Sequence, residues 1–179
     1  MVEPPEQFRV GRDRGLMHQS VRDFVGLWCG PHQWPRVVEF GSRYVNGQVR
    51  DLVPHQAWLG IDREPGDGVD LVMDCRDYCP VTAPDLIVCC EVLEHSNDPQ
   101  AIVEQAGQVL AAGGWFVMTC ATDPREPHSA LTGGPVPDGE HYANVSLGEF
   151  EDWCWWGEIV VAEVDDVAGD LRVIVRKYG

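Results

Sequence analysis

Short apolar runs recur through the middle of the chain, and each stops at an acid or at turn residues. They are "RVVEF" (36–40), "AWLGID" (57–62), "VDLVMD" (69–74), "DLIVCCE" (85–91) and "GWFVMTCA" (114–121). Runs this short and this rich in Val, Ile and Leu predict strands buried on both faces. Helix-like stretches lie between several of them. "VNGQVRDLV" (45–53) follows the first run, and "DPQAIVEQAGQVLAAGG" (98–114) precedes the fifth. The second stretch opens on Asp98, a good acceptor for free helix-end amides, and on Pro99, which lacks an N–H where none is needed. Glycine ends it. A leading helix is predicted over 15–29, where Leu16, Val21, Phe24, Val25 and Trp28 approach helical spacing, until "GPHQWP" breaks it.

Strands alternating with helices predict βαβ units, and so a parallel sheet covered on both faces. The tail has a different pattern. "EIVVAEV" (158–164) and "DLRVIVRKY" (170–178) are strand-like and joined by "DDVAGD", which predicts an antiparallel hairpin.

The chain has 179 residues, enough for one domain with a sizeable core, and no internal repeat is evident. It carries 13 basic and 29 acidic residues, 13 − 29 = −16. A field of that sign repels phosphate backbones and anionic lipid. Nucleic acid is therefore disfavoured as a partner, and solubility accounts for most of the acidity. No apolar run reaches the roughly 18 residues of a membrane span. The acidic, Pro-rich "MVEPPEQFRV" is unlike a signal peptide. Cys89, Cys90 and Cys120 lie inside apolar runs, and Cys75 and Cys79 have no second pair nearby for zinc. A reduced, cytoplasmic protein is the expectation.

Four of the strand-like runs end in acids: Glu39, Asp62, Asp74 and Glu91. Parallel strands bring such ends to one rim, where open α/β sheets bind ligands at the switch point of the strand order. Asp62 follows Gly41 by 62 − 41 = 21 positions, close to the spacing at which a carboxylate meets ribose hydroxyls in nucleoside-binding folds. One acid at a strand end is commonplace, because chains surface there. Four of them in register with βα alternation point to a nucleoside-type cofactor. The G-x-G-x-x-G of a dinucleotide loop is absent, which disfavours NAD-dependent oxidoreduction.

These residues carry a resemblance to the class I S-adenosylmethionine-dependent methyltransferases, over about residues 36–121 and on toward the C-terminus. "VVEFGS" resembles the first motif of that family, and "WLGIDREPGDGVDLVMDCRDY" its second and third strands. "PDLIVCCEVLEHSNDPQAIVEQAGQVLAAGGWFVMTCA" is the most specific stretch. The first motif departs from E/D-x-G-x-G-x-G, with Arg43 and Val45 at the later glycine positions and Gly47 beyond them. It resembles a subgroup with a G-S-x-x-V-N-G run.

The resemblance implies a Rossmann-like three-layer sandwich with a mostly parallel seven-stranded sheet ending in an antiparallel hairpin. The implied organisation is a single domain over 1–179: an N-terminal helical cap (1–34), a cofactor-binding core (35–121), and a substrate loop with the hairpin (122–179). S-adenosylmethionine is the implied cofactor. Gly41 and Ser42 would approach its methionine part, with Glu39 supporting the loop. Asp62 would hold the ribose and Arg63 cover the adenine face. Asp74 and the Cys75 backbone would meet the adenine edge, and Cys90 and Glu91 would line the methionine end. A Gly41→Val change is expected to abolish cofactor binding and leave the fold largely intact.

Glu91, Glu94 and His95 stand at i, i+3 and i+4, which share a face on a helical turn. His141 sits downstream in "GEHYANVSLGEFEDW", just before a predicted helix. Two carboxylates and two imidazoles could coordinate a divalent ion such as Mg²⁺ or Mn²⁺. The pattern resembles two metal-using methyltransferase groups, those acting on small-RNA 2′-hydroxyls and in the ubiquinone pathway. In a metal-free alternative, His95 or His141 serves as general base. In a third, positioning alone carries the rate.

The Gly/Pro-rich stretch 122–140 is long for a structureless connection, and in the resembled family this region caps the substrate. His128 lies in it and, taken alone, carries little weight. The first helix is expected to close the other side of the pocket. Phe150, Trp153, Trp155 and Trp156 read as core packing ahead of a substrate wall. Two functions follow as expectations: methyl transfer to an oxygen or nitrogen nucleophile of a small molecule, or a non-catalytic cofactor-binding or partner-regulating module on the same fold.

Overall fold

The computed structural model describes residues 19–45 and 47–179. The first helix, α1, spans Gln19–Cys29; the start of its predicted range, 15–18, lies outside the described residues. The strands follow as β1 (Trp34–Phe40), β2 (His55–Asp62), β3 (Leu71–Val72), β4 (Leu86–Cys90), β5 (Trp115–Ala121), β6 (Gly157–Asp165) and β7 (Asp170–Lys177). Two further helices are α2 (Pro99–Val109) and α3 (Leu147–Trp153).

The strands form one seven-stranded sheet in the order β3-β2-β1-β4-β5-β7-β6. The first five are parallel to one another, and β7 is antiparallel to both β5 and β6. The order reverses between β1 and β4, so the crevice beyond their carboxyl ends is the natural ligand site. The sheet and its terminal hairpin agree with the sequence reading.

Strand alternation divides the core between two faces. Val37, Leu86, Val88, Val117 and Ile174 meet α1 through Val21, Phe24 and Val25. Val38, Ile87, Cys89, Phe116 and Met118 meet Ile102, Val103 and Ala106 of α2 and Phe150 of α3. Every residue of central β4 is buried, which is why its sequence is unbroken apolar rather than alternating. Asp98 caps α2 by accepting from the Ala101 amide at 3.2 Å. Ser146 and Glu149 cap α3 reciprocally.

Three expectations change. Among its described residues the stretch 45–53 forms only one 3-10 turn, Arg50–Leu52, with Gly47 at φ 137° ahead of it and Pro54 closing it. The third apolar run keeps two strand residues, because Leu71 and Val72 lie exposed at the sheet edge. Among its described residues, α1 packs on the sheet and lines none of the cavity described below. Trp156 is buried beside Phe116, whereas Trp155 is 73% exposed. No helix among the described residues is long and apolar enough to cross a membrane.

Candidate active site

A cavity of about 930 Å³ opens at the carboxyl ends of β1, β2 and β4. Its floor begins at Gly41, which follows β1 with φ 75°. A Cβ there would stand 2.2 Å from Val92 Cγ2, so only glycine fits the turn. The amides of Gly41 and Ser42 both donate to the Ile61 carbonyl, at 2.9 and 3.0 Å. Glu39 lines the cavity, whereas Ser42, expected beside the methionine part, does not; Glu39 Oε2 and Ser42 Oγ are both buried. Burial pushes the Glu39 carboxyl up to about 8.

Asp62, at the end of β2, has a preset carboxylate. Oδ2 accepts from the Arg43 amide at 3.1 Å and Oδ1 from the Glu64 amide at 2.9 Å. Arg63 lines the same wall. Asp74 caps the 3-10 turn Cys75–Asp77, and Arg76 grips its carboxylate through Nε at 2.9 Å and Nη2 at 2.6 Å. That pair holds the Asp74 carboxyl below its usual range. Cys75 and Cys90 line the cavity, and burial raises both thiols, Cys75 to about 12.

Glu91 leaves β4 in the left-handed region, φ 57°, the one described non-glycine residue with positive φ. Thr119 Oγ1 donates to its Oε1 at 3.0 Å, and Arg125 Nη1 stands 3.8 Å from Oε2. This kink separates Glu91 from the following 3-10 turn, Leu93–His95. The helical face expected for Glu91, Glu94 and His95 does not form.

Glu94 is fully buried, and its Oε1 accepts from the Ala121 amide at 3.2 Å while Oε2 has no described partner. Burial first, and then the Glu91 charge, raise its carboxyl above the usual range. His95 lines the cavity, and burial lowers its imidazole to about 4. The rings of His95, His128 and Tyr142 meet edge-on at 5.0–5.4 Å between centroids. One candidate ligand atom each from Glu94, His95 and His128 lies within 4.8 Å of the others.

The structure therefore gathers Glu94, His95 and His128. Glu91 turns toward Thr119 and Arg125, and His141 sits exposed on the cavity rim; both lie outside that group. Sequence reasoning gave His128 little weight and missed Arg125, Thr119 and Arg76. The one available signal for His128 was an imidazole inside an unusually long loop after the fifth strand.

The family description "Methyltransferase domain" matches residues 22–156. A ubiquinone biosynthesis O-methyltransferase of Leptothrix cholodnii is 33% identical over 78 residues, covering 39% of this chain and 33% of that protein. The match thus spans about a third of that relative's length. The N-methyltransferase NodS of Bradyrhizobium japonicum, solved with S-adenosyl-L-homocysteine, is similar at a TM-score of 0.62 and 16% identity, over 89% of this chain and 86% of that one. The 1,6-didemethyltoxoflavin-N1-methyltransferase of Burkholderia thailandensis is similar at a TM-score of 0.64 and 13% identity, over 93% and 80%. The sheet order, the glycine turn against Val92 and the family match agree: this chain belongs to the class I S-adenosylmethionine-dependent methyltransferases.

Proposed function

We propose that the protein transfers a methyl group from S-adenosylmethionine to an oxygen or nitrogen nucleophile of a small molecule. One observation carries the reading. A single cavity is lined by a glycine turn, by the strand-end acids Glu39, Asp62, Asp74 and Glu91, and by His95 and His128, with the buried Glu94 within 4.8 Å of both imidazoles. Its volume is near the upper end of small-ligand sites, which suits a cofactor together with a compact acceptor.

The chain fits the cofactor. Gly41 leaves room for close backbone approach, and Glu39, with a buried Oε2, lines the cavity beside it. Asp62 takes the ribose hydroxyls with Arg63 over the adenine face. Asp74 and Cys75 border the adenine, and Cys90 and Glu91 the methionine end. The bound cofactor supplies an electrophilic methyl group on a sulfonium; the protein supplies orientation and exclusion of water.

The acceptor end also fits a divalent ion. One carboxylate and two imidazoles form a donor set that favours Mn²⁺ or Zn²⁺ over Mg²⁺. An ion there would polarise the acceptor hydroxyl. His95, kept neutral by burial, has a lone pair for an ion or for a proton. Without a metal, His128 at the same place is the candidate base, and His141 on the rim is the more distant one.

The second reading, a cofactor-binding module without catalysis, draws on Arg43 and Val45 in the first motif and on the Arg76 grip on Asp74. Calorimetry with S-adenosylmethionine and S-adenosylhomocysteine tests both. Absence of binding by either compound removes the enzyme reading. Binding without methyl transfer to a panel of small hydroxyl and amine acceptors favours the module. Equal transfer in EDTA and in Mn²⁺ removes the metal.

A further inference from the structure

We propose that Ser129 and Glu140 form a polar clamp that seats His128 at the acceptor end of the cavity, both acting as positioning residues. The inference rests on the reading of that end given above. From Asp123 to Asn144 the chain has no helix or strand, and Ser129 is its one buried residue. A long loop that folds over a cavity is ordinarily held by apolar anchors. Here the buried anchor is a serine at 2% exposure, while Leu131 is 52% exposed. Hydrogen bonds must therefore do what apolar packing does elsewhere.

Ser129 uses all of its polar groups. Its amide donates to the Gly134 carbonyl at 2.7 Å, and its carbonyl accepts from the Gly133 amide at 2.8 Å. Its Oγ donates to Glu140 Oε2 at 2.8 Å and accepts from the Leu131 amide at 3.1 Å. The second carboxylate oxygen of Glu140 accepts from the Ala130 amide. One carboxylate thus joins two points of the loop separated by 140 − 129 = 11 positions. Each point has an imidazole beside it: His128 precedes Ser129, and His141 follows Glu140.

The consequence is geometric. The clamp folds the loop back so that both imidazoles line the cavity, and His128 reaches His95, 5.1 Å away between ring centroids. Past the clamp, the Ala143 amide donates to the Glu94 carbonyl at 2.8 Å, which fastens the far end of the loop to the cluster. The local hydrogen bond of His128 Nδ1 with the Glu126 carbonyl, 3.2 Å, does not by itself bring the ring to His95.

Diethyl pyrocarbonate labelling of the full chain, read residue by residue by mass spectrometry, tests this without a known acceptor. In the wild type, His95 should react slowly relative to the exposed His32 at the opposite rim. In S129A and E140A the rate at His95 should rise roughly tenfold, the factor that loss of a hydrogen bond to a charged group allows. E140Q keeps an acceptor for Ser129 and should fall between. His32 should not change, and alkylation of the fully buried Cys29 should stay blocked. An unchanged His95 rate overturns the proposal. A rise at His95 accompanied by reaction of Cys29 also overturns it, because that marks general loosening. Calorimetry with S-adenosylhomocysteine on the same samples judges the methyltransferase reading separately: a wild type that fails to bind sinks that reading alone.

Discussion

Asp170, fully buried at the start of β7, is paired with the guanidinium of Arg125 from the loop that follows β5. Arg172 Nη2 adds a second pairing at 2.7 Å, and Ser20 Oγ in α1 donates to the same carboxylate at 3.1 Å. Arg125 in turn faces Glu91 in the cavity wall. One carboxylate therefore ties the hairpin, the first helix and the base of the loop after β5 together.

Asp170→Ala removes the acid and leaves two guanidiniums beside a buried space. Breaking a buried pair from one side costs about 3–5 kcal/mol. Urea denaturation should show a loss of that order, and a loss under about 1 kcal/mol, the scale of a surface pair, would contradict the assignment.

Gly41→Ala combines a left-handed backbone with a Cβ placed against Val92. The backbone alone costs about 1–2 kcal/mol. The variant should lose S-adenosylhomocysteine binding in calorimetry and melt lower than wild type. Adding Val92→Ala should recover part of the stability, because it removes the methyl group that the new Cβ meets. The expectation that a larger residue at 41 leaves the fold largely intact is thereby narrowed: Val92 transmits part of the change to the core.

Glu39 makes stability depend on pH. Its folded value stands near 8, against 4.5 for the free group. The folded state then holds a proton that the unfolded chain has released, so stability falls as pH rises from about 4.5 to about 8. Glu39→Gln lacks this proton. Denaturation at about pH 5 and about pH 9 should show the wild type losing more stability than the variant, and parallel behaviour would refute the burial argument.

Asp62→Ala should weaken adenosine and S-adenosylhomocysteine alike, by about tenfold or more, as expected for losing charged hydrogen bonds to hydroxyls. Asp62→Asn, which keeps one acceptor oxygen for a neighbouring amide, should lose less. A drop for S-adenosylhomocysteine alone would move Asp62 from the ribose to the methionine end.

The sheet was legible because burial on both faces writes itself as unbroken apolar runs, β4 above all. The acids closing those runs marked the rim, and Asp62 and Gly41 both line the cavity. What stayed hidden depends on contacts distant in sequence. The kink at Glu91 is supported by Thr119, 119 − 91 = 28 positions away, so local periodicity wrongly joined Glu91 to His95. His128 has no periodic neighbour at all; its place depends on Ser129 meeting Glu140. The short edge of the sheet misled for the opposite reason, since "VDLVMD" looks buried and Leu71 and Val72 are not.

The reversal of strand order between β1 and β4 has a consequence for turnover. One wall of the cavity comes from the first half of the chain, Glu39 to Arg76, and the other from Cys90 to His141. A ligand lying across the reversal joins the two halves as a removable cross-link. At a hundred times its dissociation constant such a ligand adds about 2.7 kcal/mol against unfolding. Resistance to proteolysis should therefore rise when a ligand occupies the cavity, and limited digestion with and without S-adenosylhomocysteine reads that rise.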